Sequence, residues 1–113
     1  GVSRYNYSSP DHFITLLTWA YNDKVIRENF FSTFPIGGWD GTLEDRMKNE
    51  ESLAKIIAKT GTLSGVSCLS GYIFTTRGDP LAFSILMNGY VDEAKPFRNL
   101  QDKIVSALTE IKL

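Results

Sequence analysis

The sequence predicts an α+β domain in which helices are followed by an antiparallel sheet and then by a C-terminal helix. Apolar residues recur at helical spacing in the first third of the chain and again at its end. The middle of the chain contains short apolar runs that are separated by turn residues, as in β-hairpins. Helices that pack on one sheet in this order are typical of α+β proteins.

Two helices are predicted near the N-terminus. Ser9 is a suitable N-cap, and Pro10 and Asp11 suit the first turn of a helix over residues 10–22. A short break then precedes a second helix over residues 24–33.

A third helix is predicted after a loop that contains proline and glycine. Thr42 is followed three residues later by Asp45, which resembles a capping box with Asp in place of Glu or Gln. We expect this helix to continue through Leu43 and Met47, whose spacing places them on one helical face.

Three strands and a final helix complete the predicted fold. The strands are residues 56–63, 71–76 and 81–88. Turn residues at 77–80 separate the last two strands, so the sheet is expected to be antiparallel. The third strand is apolar on both faces and should be covered on both sides. An apolar stripe from Phe97 to Ile111 predicts the C-terminal helix.

The composition excludes several classes of function. The chain has 12 Lys and Arg against 13 Asp and Glu, and its net charge of −1 gives no reason to expect a nucleic-acid partner. The single cysteine, Cys68, cannot form an internal disulfide or supply a cysteine zinc site, and the single histidine, His12, gives little support for a His-rich metal site, so we predict no metal and no cofactor. No apolar run approaches the roughly 18 residues that a membrane span needs.

The chemically most informative segment is Lys59 to Thr62, on the first predicted strand. An ammonium and two hydroxyls, from Lys59, Thr60 and Thr62, could hold a carboxylate. Gly61 leaves room for an extended peptide to add to the strand, and the Thr62 N–H could act as an oxyanion donor. Strand alternation separates Lys59 and Gly61 from the threonines, so the site must lie at the strand's edge. A Lys-Thr-Gly tripeptide alone is weak evidence for such a site, and an ordinary strand with an exposed lysine explains it more simply.

Longer stretches around this segment follow the pattern of a known family. They are Ala58–Val66, Leu69–Tyr72, Leu81–Phe83, Asn88–Tyr90, Gly1–Asn6 and Phe34–Leu43 with Arg46. Together they resemble the C-terminal part of a low-molecular-mass penicillin-binding protein of the D-alanyl-D-alanine carboxypeptidase/endopeptidase family. The resemblance implies a penicillin-binding-protein/serine β-lactamase-like transpeptidase fold. It also implies that residues 1–113 are the C-terminal portion of the catalytic domain, without the upstream nucleophile segment.

The resemblance implies a mechanism as well. In the family, a serine of Ser-x-x-Lys attacks the D-Ala-D-Ala bond of a peptidoglycan stem peptide, Ser-x-Asn assists proton transfer, and Lys-Thr-Gly completes the site. Lys59 would supply positive charge, Thr60 and Thr62 would bind the substrate carboxylate, and the Thr62 N–H would be an oxyanion donor. β-Lactams would be inhibitors, and the protein would lie in the periplasm or cell envelope.

The sequence departs from the family pattern because it contains no Ser-x-Asn. Ser52 to Lys55 does fit Ser-x-x-Lys, but we interpret the match as accidental and place Ser52 on a surface helix. The chain is therefore expected to supply the Lys-Thr-Gly strand and not the nucleophile, to need the upstream part of the protein as its partner, and to be inactive alone.

Two other hypotheses remain open at this point. The chain could be a non-catalytic peptidoglycan-binding or structural piece of the same fold, or part of a β-lactamase-like hydrolase. The segment Asp40–Arg46 favours the carboxypeptidase family over the β-lactamases. Without the N-terminal strand that the family places beside it, Leu81–Asn88 would be an unpaired edge, and we expect self-association through it.

Overall fold

The computed structural model describes residues 7–49, 52 and 54–112, and it confirms the predicted α+β architecture. The elements are α1 (Pro10–Asn22), α2 (Lys24–Thr33), a 3₁₀ turn (Gly41–Leu43), β1 (Ile56–Leu63), β2 (Val66–Phe74), β3 (Pro80–Asn88) and α3 (Lys95–Leu108). None of the helices in these ranges is long and apolar enough to cross a membrane. The stretch Gly1–Asn6 lies outside the described residues.

The three strands form one antiparallel sheet with β2 in the centre. In its register Thr60 pairs with Leu69 of β2, and Leu69 pairs in turn with Ile85 of β3. Among the described strands, β3 is the outermost on its side. Self-association through residues 81–88 stays a prediction.

The sheet is packed on both faces. On one face the core is built from the loop before β1, the three strands and α3. It consists of Leu43, Met47, Ile56, Ala58, Leu69, Ile73, Phe83 and Val105. On the other face α1 lies against β2 and β3, and the buried Tyr72 Oη donates to the Leu17 carbonyl at 2.7 Å. The prediction that the third strand is covered on both faces is therefore confirmed.

Gly71 allows β1 to lie close to β2. It pairs with Ala58, and a Cβ at position 71 would overlap the Ile57 carbonyl oxygen and lie 2.6 Å from the Ala58 Cα. Because the obstructing atoms are backbone, a side chain here could be accommodated only by displacing β1.

The predicted third helix is wrong. The chain forms a single 3₁₀ turn over Gly41–Leu43, and Met47 has a φ of 57°, which a right-handed helix does not allow. Leu43 and Met47 are nevertheless both buried in the core. Their spacing therefore predicts burial correctly, but a 3₁₀ turn followed by irregular chain buries both side chains without a helix.

The second strand begins at Val66, five residues earlier than predicted. The turn that joins it to β1 contains Gly65 with a φ of +74°, in the left-handed region that favours glycine. Serines at the start of β2 make this part of the strand look like a loop in the sequence. One of them, Ser70, instead forms a cross-strand hydrogen bond with Ser84 at 2.8 Å between the hydroxyl oxygens.

Arg46 fastens the loop before β1 to α3. Its guanidinium donates to the Asp102 carboxylate, with 2.7 Å between Nη2 and Oδ1, and to the Gln101 side-chain oxygen at 3.2 Å. The fully buried Gln101 in turn donates to the Ser67 carbonyl at 3.1 Å. One network thus joins the loop, α3 and the start of β2.

We expect Arg46→Ala to lower the free energy of unfolding by about 2–3 kcal/mol, because the largely buried Asp102 carboxylate and the Gln101 side-chain oxygen both lose their hydrogen bonds to the guanidinium. Urea denaturation measures this loss. The matched control is Lys48→Ala, which removes an exposed ion pair with Asp45 at 2.9 Å and should cost less than about 0.5 kcal/mol. Similar losses in the two variants would contradict this account of the network.

Candidate functional site

The candidate site lies on the outer edge of β1, the edge that faces away from β2. The first half of this edge is covered by segment 35–37, where the Ala58 N–H donates to the Pro35 carbonyl at 3.0 Å. Alternate residues of an antiparallel strand turn their backbone groups to opposite edges. Thr60 and Thr62 therefore direct their N–H and C=O groups to the same side as Ala58, beyond the point where segment 35–37 ends.

Lys59 brings a positive charge to this edge. Strand alternation places its side chain on the face opposite to the threonines, but the exposed side chain curls back and its Nζ donates to the Thr60 carbonyl at 2.6 Å. That carbonyl points to the outer edge. The ammonium of Lys59 and the outward backbone groups of Thr60 and Thr62 therefore lie on one side of β1.

Gly61 is exposed, and the packing of the fold does not require a glycine at this position. A Cβ built at this position would meet only the Cys68 Cβ, at 3.9 Å, which is an ordinary contact. The half-buried Cys68 lies opposite Gly61 in β2, and burial raises the pKa of its thiol. The fold itself would accept a side chain at 61, in contrast to Gly71.

Thr60 has a partner that the sequence did not indicate. Its Oγ1 donates to Thr42 Oγ1 at 3.1 Å across 18 residues of chain. Thr42 is exposed and belongs to the 3₁₀ turn, where the sequence suggested only a helix cap. No local pattern links the two positions, since their contact depends on how the loop folds back over β1.

Ser52 is placed differently from the sequence prediction. It lies in a turn and not on a surface helix, and its side chain is fully buried. Its hydroxyl donates to the Met47 carbonyl at 3.1 Å and hydrogen-bonds the Asn49 side-chain oxygen. A hydroxyl enclosed in this way is a structural group. Leu53, inside the same Ser-x-x-Lys match, lies outside the described residues.

The architecture is that of part of a penicillin-binding protein. The chain is similar to penicillin binding protein 4 from Haemophilus influenzae, with a TM-score of 0.86 and 28% identity over 96% of this chain and 26% of that one. A second structure of that protein, complexed with a β-lactam, matches with the same TM-score and identity over 97% of this chain and 27% of the other.

Within the penicillin-binding proteins, the chain can be assigned to one particular family. The model of the D-Ala-D-Ala carboxypeptidase 3 (S13) family matches residues 1–111, and the chain belongs to that family. This confirms the predicted resemblance to the low-molecular-mass carboxypeptidases.

Two curated relatives agree with this assignment. The chain is 37% identical to a D-alanyl-D-alanine carboxypeptidase of Haemophilus influenzae over 93 residues, which cover 80% of this chain and 19% of the relative. It is also 37% identical to a D-alanyl-D-alanine carboxypeptidase of an Actinomadura species over 115 residues, covering 97% of this chain and 21% of the relative. The chain thus spans about a fifth of the length of these relatives.

Ser52→Ala should lower the free energy of unfolding by about 1–2 kcal/mol, because the buried Met47 carbonyl loses the hydrogen bond from the Ser52 hydroxyl. Ser64→Ala, in the exposed turn between β1 and β2, is the matched control and should change stability by less than about 0.5 kcal/mol.

Incubation of the 113-residue chain with a fluorescent penicillin should give no covalent label. A label that disappears in Ser52→Ala would identify Ser52 as a nucleophile and overturn this interpretation.

Proposed function

We propose that residues 1–113 form the C-terminal portion of the catalytic domain of a serine-type D-alanyl-D-alanine carboxypeptidase/endopeptidase that acts on peptidoglycan stem peptides. In this proposal the chain supplies the Lys-Thr-Gly strand, and the nucleophilic serine and the Ser-x-Asn serine belong to a part of the protein outside these residues. Family membership and the greater length of the relatives support this division. The observation that carries the proposal is the outer edge of β1 beside Thr60 and Thr62, which no other described strand covers and on which the Lys59 ammonium lies.

The stem peptide would bind as an additional extended strand along this edge. The outward backbone groups of Thr60 and Thr62 would then form main-chain hydrogen bonds with it. The Thr62 N–H would point at the scissile carbonyl, where it would stabilise the negative charge that develops on the oxygen during attack. Gly61 would leave the space that the second backbone needs.

Lys59 and the two threonine hydroxyls would recognise the terminal carboxylate of the substrate. An ammonium has three N–H donors, and in Lys59 one of them is directed to the Thr60 carbonyl at 2.6 Å. The others would bind the carboxylate or place positive charge beside the Ser-x-Asn serine. Charge-assisted hydrogen bonds of this kind are about twice as strong as neutral ones.

The reaction would be acyl transfer. Attack by the nucleophilic serine breaks the D-Ala-D-Ala peptide bond, the terminal D-alanine leaves with a proton on its nitrogen, and the remaining peptide is held as an ester. Water then releases the peptide as a carboxylate, or an amine takes it as an amide. Since a β-lactam complex of the related penicillin binding protein 4 exists, we propose that β-lactams acylate the same serine. The site of action would be the periplasm or cell envelope.

A fluorescent penicillin tests the proposed function. The full-length protein should be covalently labelled, and the 113-residue chain alone should not. Lys59→Met in the full-length protein should slow labelling about 10- to 100-fold, because a charge-assisted contact to the β-lactam carboxylate is lost. The control Lys95→Met, at an exposed position of α3, should label at the normal rate. A full-length protein that stays unlabelled would instead favour a non-catalytic binding module.

Thr62→Pro tests the oxyanion donor directly. The Thr62 N–H faces the outer edge and not β2, so proline is compatible with the β1–β2 ladder and should change the free energy of unfolding by less than about 1 kcal/mol. Removing one oxyanion donor should slow acylation about 100- to 1,000-fold. The matched variant is Thr62→Val, which keeps the N–H and removes only the hydroxyl. Equal acylation rates in the two variants would exclude this role.

A further inference from the structure

We propose that Thr42 is a positioning residue that orients and polarises the Thr60 hydroxyl for recognition of the substrate's terminal carboxylate. The inference rests on the proposed function of the outer edge of β1 and deepens it. Its basis is the hydrogen bond between the two hydroxyls, 3.1 Å long and formed between residues that are 18 positions apart.

The backbone around Thr42 is held firmly. The next residue, Leu43, is fully buried in the core, and its carbonyl accepts the Gly38 N–H at 2.9 Å. Arg46 ties the end of the same loop to Asp102 of α3. Thr42 therefore presents its hydroxyl from a fixed point. Since a β-branched side chain has few accessible rotamers, a single hydrogen bond is enough to select the rotamer of Thr60.

The chemistry of a hydroxyl pair explains what this contact can do. Each hydroxyl has one donor and two acceptor positions. While Thr60 donates to Thr42, its proton is directed away from a substrate. When a carboxylate binds, Thr60 must donate to it, and Thr42 can then turn its own O–H to donate to Thr60. The reversal rotates only two C–O bonds and leaves both oxygens in place.

In the reversed arrangement, Thr42 donates to Thr60, and Thr60 donates to the negatively charged carboxylate. A hydroxyl that accepts a hydrogen bond becomes a better donor, so Thr42 strengthens the bond from Thr60 to the carboxylate. Thr42 is exposed, which lets water satisfy its remaining acceptor positions. A neutral terminal amide carries no such charge, so Thr42 strengthens its hydrogen bond with Thr60 much less. Thr42 should therefore contribute to the preference for a free carboxylate.

The test uses the full-length protein and two peptide donors that end in D-Ala-D-Ala, one with a free carboxylate and one with a terminal amide. In Thr42→Val the ratio of kcat/KM between carboxylate and amide donors should fall about tenfold, mainly through a higher KM for the carboxylate donor. Thr42→Ser, which keeps the hydroxyl, should hold the ratio within about twofold of the normal protein. The control Thr76→Val, an exposed threonine after β2, should leave the ratio unchanged.

Thr60→Val separates this inference from the proposed function. If Thr60→Val lowers the ratio and Thr42→Val does not, the role of Thr42 is excluded while the proposed role of Thr60 stands. If Thr60→Val leaves the ratio unchanged, the carboxylate role of Thr60 is wrong and the role of Thr42 falls with it. Equal losses on both donors in Thr42→Val would mean that the residue is only structural, which also overturns the inference.

Discussion

The pairing of β1 with β2 is the constraint on which the rest of the structure depends. Gly71 lets the two strands approach, and the register then decides which backbone groups in the second half of β1 face its outer edge. In the observed register these belong to Thr60 and Thr62. A shift by one residue would turn the backbone of Lys59 and Gly61 outward instead and would move the core side chains to the wrong face. Which backbone groups the outer edge presents is therefore a consequence of how the sheet is packed.

The two halves of β1 have different surroundings. Ile56 and Ala58 are fully buried and belong to the core, and segment 35–37 covers the outer edge beside them. From Lys59 to Thr62 the strand is largely exposed. A binding edge needs open backbone groups at fixed positions, and these requirements conflict within a short isolated strand. In the proposed site, the buried half of β1 would fix the position of the strand, and the exposed half would offer the backbone groups.

The sequence predicted correctly those elements whose bounds are set by residues close to them in the chain. The bounds of α1, α2 and β1 follow from a proline at a helix start, a break between helices and an apolar run, and all three agree with the structure. The Lys59–Thr62 segment could be found for the same reason, since its residues are contiguous. Tertiary packing decides the rest. The turn at residues 41–43 satisfies the burial of Leu43 without a helix, and the link from Thr42 to Thr60 exists only after the loop has folded over the sheet.

The segment Asp40–Arg46 resembles a family motif, and the structure supplies a physical reason for its spacing. Asp40 accepts the Ile36 N–H at 2.7 Å and closes the loop, while Leu43 anchors the loop in the core. Arg46 connects its end to α3. Between these fixed points Thr42 reaches β1. The motif thus connects α3 to β1, and the contacts of Asp40, Leu43 and Arg46 each limit how far Thr42 can move. If the outer edge of β1 binds a carboxylate, the residues that hold Thr42 contribute to that binding without touching the ligand.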